Sequence, residues 1–136
     1  PDLTNPRGNG EWILVVEDEA PLRETLRELL ENSGYRVLTA CDGAEAIAMY
    51  DAHKHDIPVV LLDMVMPHLE GLSTFRVLQK INPQIKIIAT SGRAPDDNVD
   101  EILCEREAVF LPKPFTAEKL LCLLAEVLEK NVEMAV

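Results

Sequence analysis

The feature that most constrains the fold is a short apolar run that stops at a carboxylate. Val59 to Leu62 are all valine or leucine, and Asp63 follows them directly. Such a run is too short for a helix and is typical of a strand buried on both faces. Pro67 cannot continue a strand ladder, and a helical pattern begins at Gly71. Open α/β sheets bind ligands where their strands end, so Asp63 is a candidate site residue; the alternative is that it only caps a turn.

Four other apolar segments have the same character, and they alternate with segments whose apolar residues recur at helical spacing. The predicted strands cover residues 12–16, 35–40, 59–62, 85–90 and 108–111. The predicted helices cover residues 21–33, 42–53 and 71–81, a weaker and mostly polar stretch that begins at residue 95, and residues 116–130. Each predicted strand is thus followed by a predicted helix.

This alternation predicts an α/β fold with a parallel sheet covered by helices on both faces. Right-handed crossovers favour a flavodoxin-like, doubly wound (βα)5 arrangement of five strands in the order 2-1-3-4-5. Residues 1–10 contain two prolines, two glycines and two asparagines, so we expect a flexible leader. One domain should then cover residues 11–131, with a tail at 132–136.

Composition narrows the class of partner. The chain has 24 acidic and 13 basic residues, a net charge of −11, which argues against direct binding to nucleic acid. No apolar run approaches membrane-spanning length, so no membrane contact is expected. The three cysteines lack the spacing of metal ligands and are interpreted as reduced packing residues, which indicates a cytoplasmic protein.

The predicted sheet collects polar residues where its strands end, an edge that we call the carboxyl edge. They are Glu17, Asp18, Asp63, Lys113 and either Thr90 or Ser91. Carboxylate oxygens are ligands that Mg²⁺ prefers, and a lysine with a hydroxyl can hold a dianionic phosphoryl group. Asp63 is the candidate nucleophile because the adjacent acids Glu17 and Asp18 are free to hold the metal. Separately, each residue also has a purely structural explanation, such as an acid pair at a helix start.

Three segments resemble the sequence pattern of response-regulator receiver domains. They are Leu14 to Glu19, Asp63 to Pro67 with the following Gly71, and Lys113 to Phe115, and the resemblance covers about residues 11–130. It implies that Asp63 accepts a phosphoryl group from the phosphohistidine of a histidine kinase. It also implies Asp18 and Asp63 as direct ligands of Mg²⁺ or Mn²⁺, the Val65 carbonyl as the third direct protein ligand, and Glu17 as a ligand through water.

The resemblance further assigns the groups that respond to phosphorylation. Lys113 pairs with the phosphoryl oxygens, and the peptide bond before Pro114 is cis. Ser91 matches the switch hydroxyl better than Thr90, and Phe110 matches an aromatic residue that swings inward. Two departures are that Glu17 stands where aspartate is commoner and that Ser91 lacks the methyl of threonine; neither removes a functional group.

The resemblance also implies an output and a context. Phosphorylation would reshape the surface made by the helix before strand five, strand five and the last helix. The leader resembles the junction at which hybrid histidine kinases join a C-terminal receiver, so the expected partners are a kinase domain, in cis or in trans, and a histidine phosphotransfer protein. A phosphorylation-dependent homodimer and tethering to a larger, membrane-bound kinase are further expectations. Such a domain would catalyse its own phosphorylation and dephosphorylation, and whether that makes it an enzyme is left open.

Other functions fit the sequence less well. An aspartate-based phosphatase usually has a second acid two residues after its nucleophile, and Val65 occupies that position. A flavin carrier of this fold needs a loop that binds phosphate after strand one, where the acids at residues 17–19 would repel phosphate. The alternative that the sequence leaves open is a pseudo-receiver, an interaction module that works without phosphorylation.

Overall fold

The computed structural model describes residues 6–64, 70–91 and 108–135, with residues 70 and 130–135 described by their backbone alone. The helix predicted to begin at residue 95 and the metal ligand predicted at Val65 lie outside the described residues.

The described elements follow the predicted alternation. They are β1 (Trp12–Val16), α1 (Ala20–Asn32), β2 (Arg36–Ala40), α2 (Gly43–His53), β3 (Val59–Asp63), α3 (Glu70–Ile81), β4 (Lys86–Ser91), β5 (Val109–Pro112) and α4 (Ala117–Ala135). Every predicted strand is present, and each boundary agrees to within one residue. Helix α4 continues five residues beyond its predicted end, because no glycine or proline follows Lys130 to stop it.

All five strands are parallel and lie in the order β2-β1-β3-β4-β5, which confirms the predicted flavodoxin-like topology. β3 lies at the centre, and all five of its residues are buried. The register between β3 and β4 pairs Asp63 with Thr90, and the register between β4 and β5 pairs Ser91 with Pro112. The ends of these three strands therefore meet at the carboxyl edge.

Two apolar layers hold the helices against the sheet. One layer joins α1 and α4 to one face through buried side chains that include Leu26, Leu30, Leu120 and Leu124. The other joins α2 and α3 to the opposite face through Ala46, Tyr50, Phe75 and Leu78. Successive strand residues point to opposite faces, so each strand contributes to both layers and the predicted doubly wound packing is confirmed.

Local signals fix where the helices begin and end. The Asp42 carboxylate accepts a hydrogen bond from the Glu45 N–H at 2.8 Å, and the Thr116 hydroxyl accepts one from the Lys119 N–H at 3.1 Å, so a side chain caps the start of each of these helices. Gly34 follows α1 with a φ of 97°, a conformation that favours glycine.

The cysteines differ from the prediction. Cys41 and Cys122 are exposed and form no disulfide, so the interpretation as packing residues is wrong for these two, while Cys104 lies outside the described residues. A thiol can lie at the surface without a large penalty, and composition cannot distinguish such a position from a core position.

Among the described residues, none of the helices has both the length and the apolar character that crossing a bilayer requires.

Part of the predicted leader lies against the turn between α1 and β2. The Gly8 N–H donates to the Ser33 carbonyl at 2.7 Å, and the Gly10 N–H donates to the Gly34 carbonyl at 2.8 Å. A Cβ at Gly8 would lie 2.5 Å from the Tyr35 ring, so only glycine permits this approach. The boundaries predicted for leader, domain and tail stay a prediction, but residues 8–10 share backbone hydrogen bonds with the domain.

Gly8→Val should detach this segment because the valine side chain cannot fit beside the Tyr35 ring. We expect faster hydrogen exchange at the Gly10 amide and a loss of about 1 kcal/mol in the free energy of unfolding, the usual net contribution of a hydrogen bond. Asn9→Ala is the control, since Asn9 is exposed and bonds to the Glu11 carboxylate through its backbone N–H. Equal exchange rates in the two variants would contradict the prediction.

Candidate functional site

The carboxyl edge gathers charged groups from three strand ends. Glu17 and Asp18 directly follow β1, Asp63 is the last residue of β3, and Lys113 directly follows β5. The Lys113 Nζ lies 3.0 Å from Glu17 Oε1 and 3.6 Å from Asp63 Oδ2. The side chains of Glu17 and Asp63 are only 2% and 4% exposed, whereas that of Lys113 is 22% exposed. The lysine therefore bridges two buried carboxylates from the solvent side.

The same edge offers a set of hard oxygen ligands. One carboxylate oxygen from each of Glu17, Asp18 and Asp63 lies within 4.8 Å of the others. Three carboxylates against the single charge of Lys113 leave an excess of negative charge at close range, which a divalent cation would neutralise. Oxygen-only ligands with an exposed member that leaves room for water fit Mg²⁺, which keeps several waters in proteins.

Glu17 is held at every polar atom. Its N–H donates to the Ala40 carbonyl at 3.0 Å, and its carbonyl accepts from Nη1 of Arg23 at 2.8 Å. One carboxylate oxygen accepts from Lys113, and the other accepts from the Glu19 N–H at 3.2 Å. A buried carboxylate needs such partners, because an unpaired one would be strongly destabilising.

The surrounding charges shift two pKa values. Partial burial is the largest cause that raises the pKa of the Asp18 carboxyl. A hydrogen bond with the Glu17 carboxylate and repulsion by its charge raise this pKa further. For Lys113, burial lowers the pKa, but the hydrogen bond that its ammonium donates to Glu17 and the charges of Asp63 and Glu17 outweigh burial, so that the pKa is raised. Since its folded pKa lies above the unfolded one, the lysine contributes stability at neutral pH and loses it only as the pH rises through the folded pKa.

Comparisons with known proteins identify the family. A family model described as the response regulator receiver domain matches residues 13–125. The chain belongs to the response regulator receiver family. It is 36% identical over 119 residues to sensor kinase CckA of Brucella abortus, covering 88% of this chain and 13% of that protein. It is also 36% identical over 122 residues to response regulator MprA of Mycobacterium ulcerans, covering 88% of this chain and 50% of that protein.

Solved structures agree with this assignment. A receiver domain protein from Clostridium thermocellum superposes with a TM-score of 0.81 at 31% identity, covering 90% of this chain and 98% of that one. A CheY-like receiver domain protein from Methanospirillum hungatei superposes with a TM-score of 0.82 at 25% identity, covering 92% of this chain and 98% of that one. This receiver thus spans the solved domains almost completely, but at most half of the curated relatives named above.

The predicted switch residues of this receiver lie around the end of β4. Thr90 is buried and is the register partner of Asp63, and its carbonyl accepts from the Met64 N–H at 2.8 Å. Ser91 is half-buried, and its carbonyl accepts from the Lys113 N–H at 2.8 Å. Both hydroxyl residues are therefore tied by their backbone to the segments that carry Asp63 and Lys113, and the choice of Ser91 stays a prediction.

Phe110 lies in β5 opposite Ala89 and packs, half-buried, against the layer formed by α2 and α3. Three residues later, the peptide bond between Lys113 and Pro114 is cis, as the resemblance implied. Phe110 is therefore not fully buried, and its switch role stays a prediction.

Sequence reasoning found most of this receiver's carboxyl edge but missed one cation. Arg23 contacts the Glu17 carbonyl from the first turn of α1, six residues after Glu17. A basic residue in the first turn is unusual, because the N-terminal end of the helix dipole is positive. This was the feature of the sequence that could have drawn attention to Arg23. Cys41 and Glu45 also lie close to Asp42, but the thiol donates to Glu45 and Asp42 caps α2, so these groups satisfy one another.

Proposed function

We propose that this receiver domain accepts a phosphoryl group on Asp63 from the phosphohistidine of a histidine kinase or a histidine phosphotransfer protein. The observation that carries the proposal is the contact of Lys113 with both Glu17 and Asp63, beside Asp18. The site combines a nucleophile, a cation for the phosphoryl oxygens and carboxylates for a metal, and phosphoryl transfer requires little besides positioning and charge neutralisation.

The residues that would hold Mg²⁺, or Mn²⁺ in its place, are Asp18 and Asp63 directly, Glu17 through a water, and the Val65 carbonyl. The carboxylate oxygens around the carboxyl edge support this assignment for the first three. When bound, the metal supplies a positive charge that neutralises the oxygens of the transferring phosphoryl group. Asp18 is the exposed member of the three, so water has access to the site from its side.

In the proposed reaction, a carboxylate oxygen of Asp63 forms a bond to phosphorus while the bond between phosphorus and the imidazole nitrogen breaks. The electron pair of that bond stays on the imidazole, which is the leaving group. Lys113 already lies 3.6 Å from Asp63 Oδ2 and can pair with the new phosphoryl oxygens. The Ser91 hydroxyl, with Thr90 as the alternative, donates to another of these oxygens.

Movement of Ser91 toward the phosphoryl group would draw in the loop after β4 and release space for Phe110 to rotate inward. Because β5 carries Phe110 and leads into α4, the change would reach the surface of these two elements. The helix expected before β5, which lies outside the described residues, would complete that surface. Phosphorylation would then act as a local charge event that biases a two-state surface. We propose this surface as the site of output and of a phosphorylation-dependent homodimer.

We further propose that the domain is the C-terminal receiver of a hybrid histidine kinase. This rests on the leader sequence and on the similarity to sensor kinase CckA, of which the matched segment is 13%. The kinase domain would be the donor in cis, and a histidine phosphotransfer protein would be the acceptor. The domain itself would work in the cytoplasm, tethered to the sensor, and its net charge of −11 argues against contact with nucleic acid.

The direct test is the intact mass of the protein after incubation with acetyl phosphate and Mg²⁺. We expect a single phosphoryl adduct that maps to Asp63 and is absent when EDTA replaces the metal. An adduct at another residue, or an equal yield in EDTA, would contradict the proposed chemistry. No adduct under any condition, together with no response to beryllofluoride, would favour the pseudo-receiver.

Lys113→Met should destabilise the protein at neutral pH, because it leaves the buried carboxylates of Glu17 and Asp63 without the cation that contacts both. Removing one partner of a fully buried pair costs about 3–5 kcal/mol, and the partial exposure of Lys113 reduces our expectation to about 1–2 kcal/mol. Urea denaturation in EDTA measures the effect. Lys119→Met, at an exposed position of α4, is the control, and a loss of stability as large in the control would contradict the prediction.

A further inference from the structure

We infer that Arg23 is a positioning residue for the acidic pair, an inference that rests on the proposed phosphoacceptor function. Arg23 lies in the first turn of α1 and is half-buried. Its Nη1 donates to the Glu17 carbonyl at 2.8 Å, and its backbone N–H donates to the Glu19 carbonyl at 2.9 Å. The residue therefore ties the start of α1 to both ends of the three-residue segment that carries Glu17 and Asp18.

The contact with the Glu17 carbonyl also constrains Asp18. A peptide unit is planar, so the carbonyl oxygen of Glu17 and the nitrogen of Asp18 lie in one rigid plane. Holding that oxygen fixes the direction in which the chain leaves toward the Cα of Asp18. The N–H of Glu17 is fixed from the other side by the Ala40 carbonyl at 3.0 Å, so the segment has little freedom to rotate.

The chemistry of the side chain suits this task. A guanidinium is permanently charged and offers several donors in a fixed fork, so its bond to a carbonyl persists at every physiological pH. It keeps a positive charge close to the carboxyl edge. A lysine could keep the charge and one donor, whereas a methionine of similar length would keep neither.

Three variants test the inference: Arg23→Met, Arg23→Lys and the control Arg27→Met. Arg27 lies one turn further along α1, and its exposed guanidinium pairs with Glu24 and with Glu31. The first measurement is the amide chemical shift of Glu19, whose N–H donates to the Glu17 carboxylate. We expect this signal to move in Arg23→Met, to return toward the wild-type position in Arg23→Lys, and to stay in place in the control.

The second measurement is the rate of adduct formation with acetyl phosphate at saturating Mg²⁺. Residues that orient metal ligands typically change activity at least about tenfold when removed, so we expect about a tenfold slower rate in Arg23→Met. Arg23→Lys should recover most of that loss, and the control should match the wild type. The melting temperatures of the two methionine variants should be similar, which separates positioning from a general loss of stability.

The outcomes distinguish the two hypotheses. If the wild type and the control form the adduct and Arg23→Met does so equally fast, with an unmoved Glu19 amide, the inference about Arg23 is wrong and the proposed function stands. If no protein forms an adduct, the proposed function fails, while the Glu19 amide still reports whether Arg23 positions the segment. A slow rate that lysine does not improve, with a lowered melting temperature, would assign Arg23 a structural role and overturn the inference.

Discussion

Asp63→Asn is expected to abolish the phosphoryl adduct completely while it leaves the fold in place. Asparagine has nearly the same shape as aspartate, so the buried position at the end of β3 can accommodate it. Its amide has no carboxylate oxygen that could form an acyl phosphate, so no other step can compensate for the loss. Intact mass after incubation with acetyl phosphate and Mg²⁺ measures the result directly.

The effect of this substitution on stability should be small, because two electrostatic terms oppose each other. Asp63→Asn removes the ion pair with Lys113 at 3.6 Å, but it also removes repulsion from the nearby carboxylates of Glu17 and Asp18. We expect a change within about 1 kcal/mol, measured by urea denaturation in EDTA. A variant that lacked the adduct because it was unfolded would fail this second measurement.

Asp56→Asn is the matched control for the same chemistry. Asp56 is exposed in the connection between α2 and β3, which lies at the opposite edge of the sheet. This variant should form the adduct at the wild-type rate. Retention of the adduct in Asp63→Asn, or its loss in Asp56→Asn, would show that the phosphoacceptor is not the carboxylate at the end of β3.

The strands could be predicted because a strand that is buried on both faces has an almost unbroken run of apolar residues in the sequence. Val59 to Leu62 are apolar at every position, since helices cover both faces of β3. Strand order followed from the alternation and from the handedness of crossovers. The end of α4 could not be predicted in the same way, because nothing in residues 131–135 either breaks a helix or requires one.

The site could be predicted as far as it depends on strand ends. Glu17, Asp18, Asp63 and Lys113 each adjoin the end of a strand, so a correct topology brings them together. The contact of Arg23 was missed because the unusual basic residue in the first turn of α1 marks only the donor, while the acceptor is a backbone carbonyl, which every residue possesses. The docking of Gly8 against Tyr35 was missed for a similar reason, since a glycine in a polar leader favours flexibility until a close approach is visible.

Gly71→Ala is expected to destabilise the protein and to disturb the phosphoacceptor, although helix propensity alone favours the alanine. Gly71 is buried in the first turn of α3, where alanine should stabilise a helix by about 1 kcal/mol. A Cβ at this position would lie 2.6 Å from both the Cα and the carbonyl oxygen of Met64. These are backbone atoms, so no change of side-chain rotamer can relieve the overlap.

The Met64 backbone has little room to retreat, because its N–H donates to the Thr90 carbonyl at 2.8 Å. Overpacking of this kind costs about 1–3 kcal/mol. We expect a cost at the upper end of this range, because the overlap is with backbone atoms at the end of a fixed strand. After the gain in helix propensity, we expect a net loss of about 2 kcal/mol in the free energy of unfolding. Ser73→Ala, at an exposed position two residues further along α3, is the control and should stabilise the protein slightly.

The functional effect follows from the neighbour of Met64. Asp63 directly precedes it, so any shift that makes room for a Cβ at Gly71 moves the carboxylate relative to Lys113 and Asp18. We expect the folded Gly71→Ala protein to form the adduct about tenfold more slowly than Ser73→Ala, because small displacements of a reacting group reduce rates strongly. If Gly71→Ala were as stable and as reactive as the control, the Met64 backbone would be free to shift, and close packing against it could not be the reason for a glycine at this position.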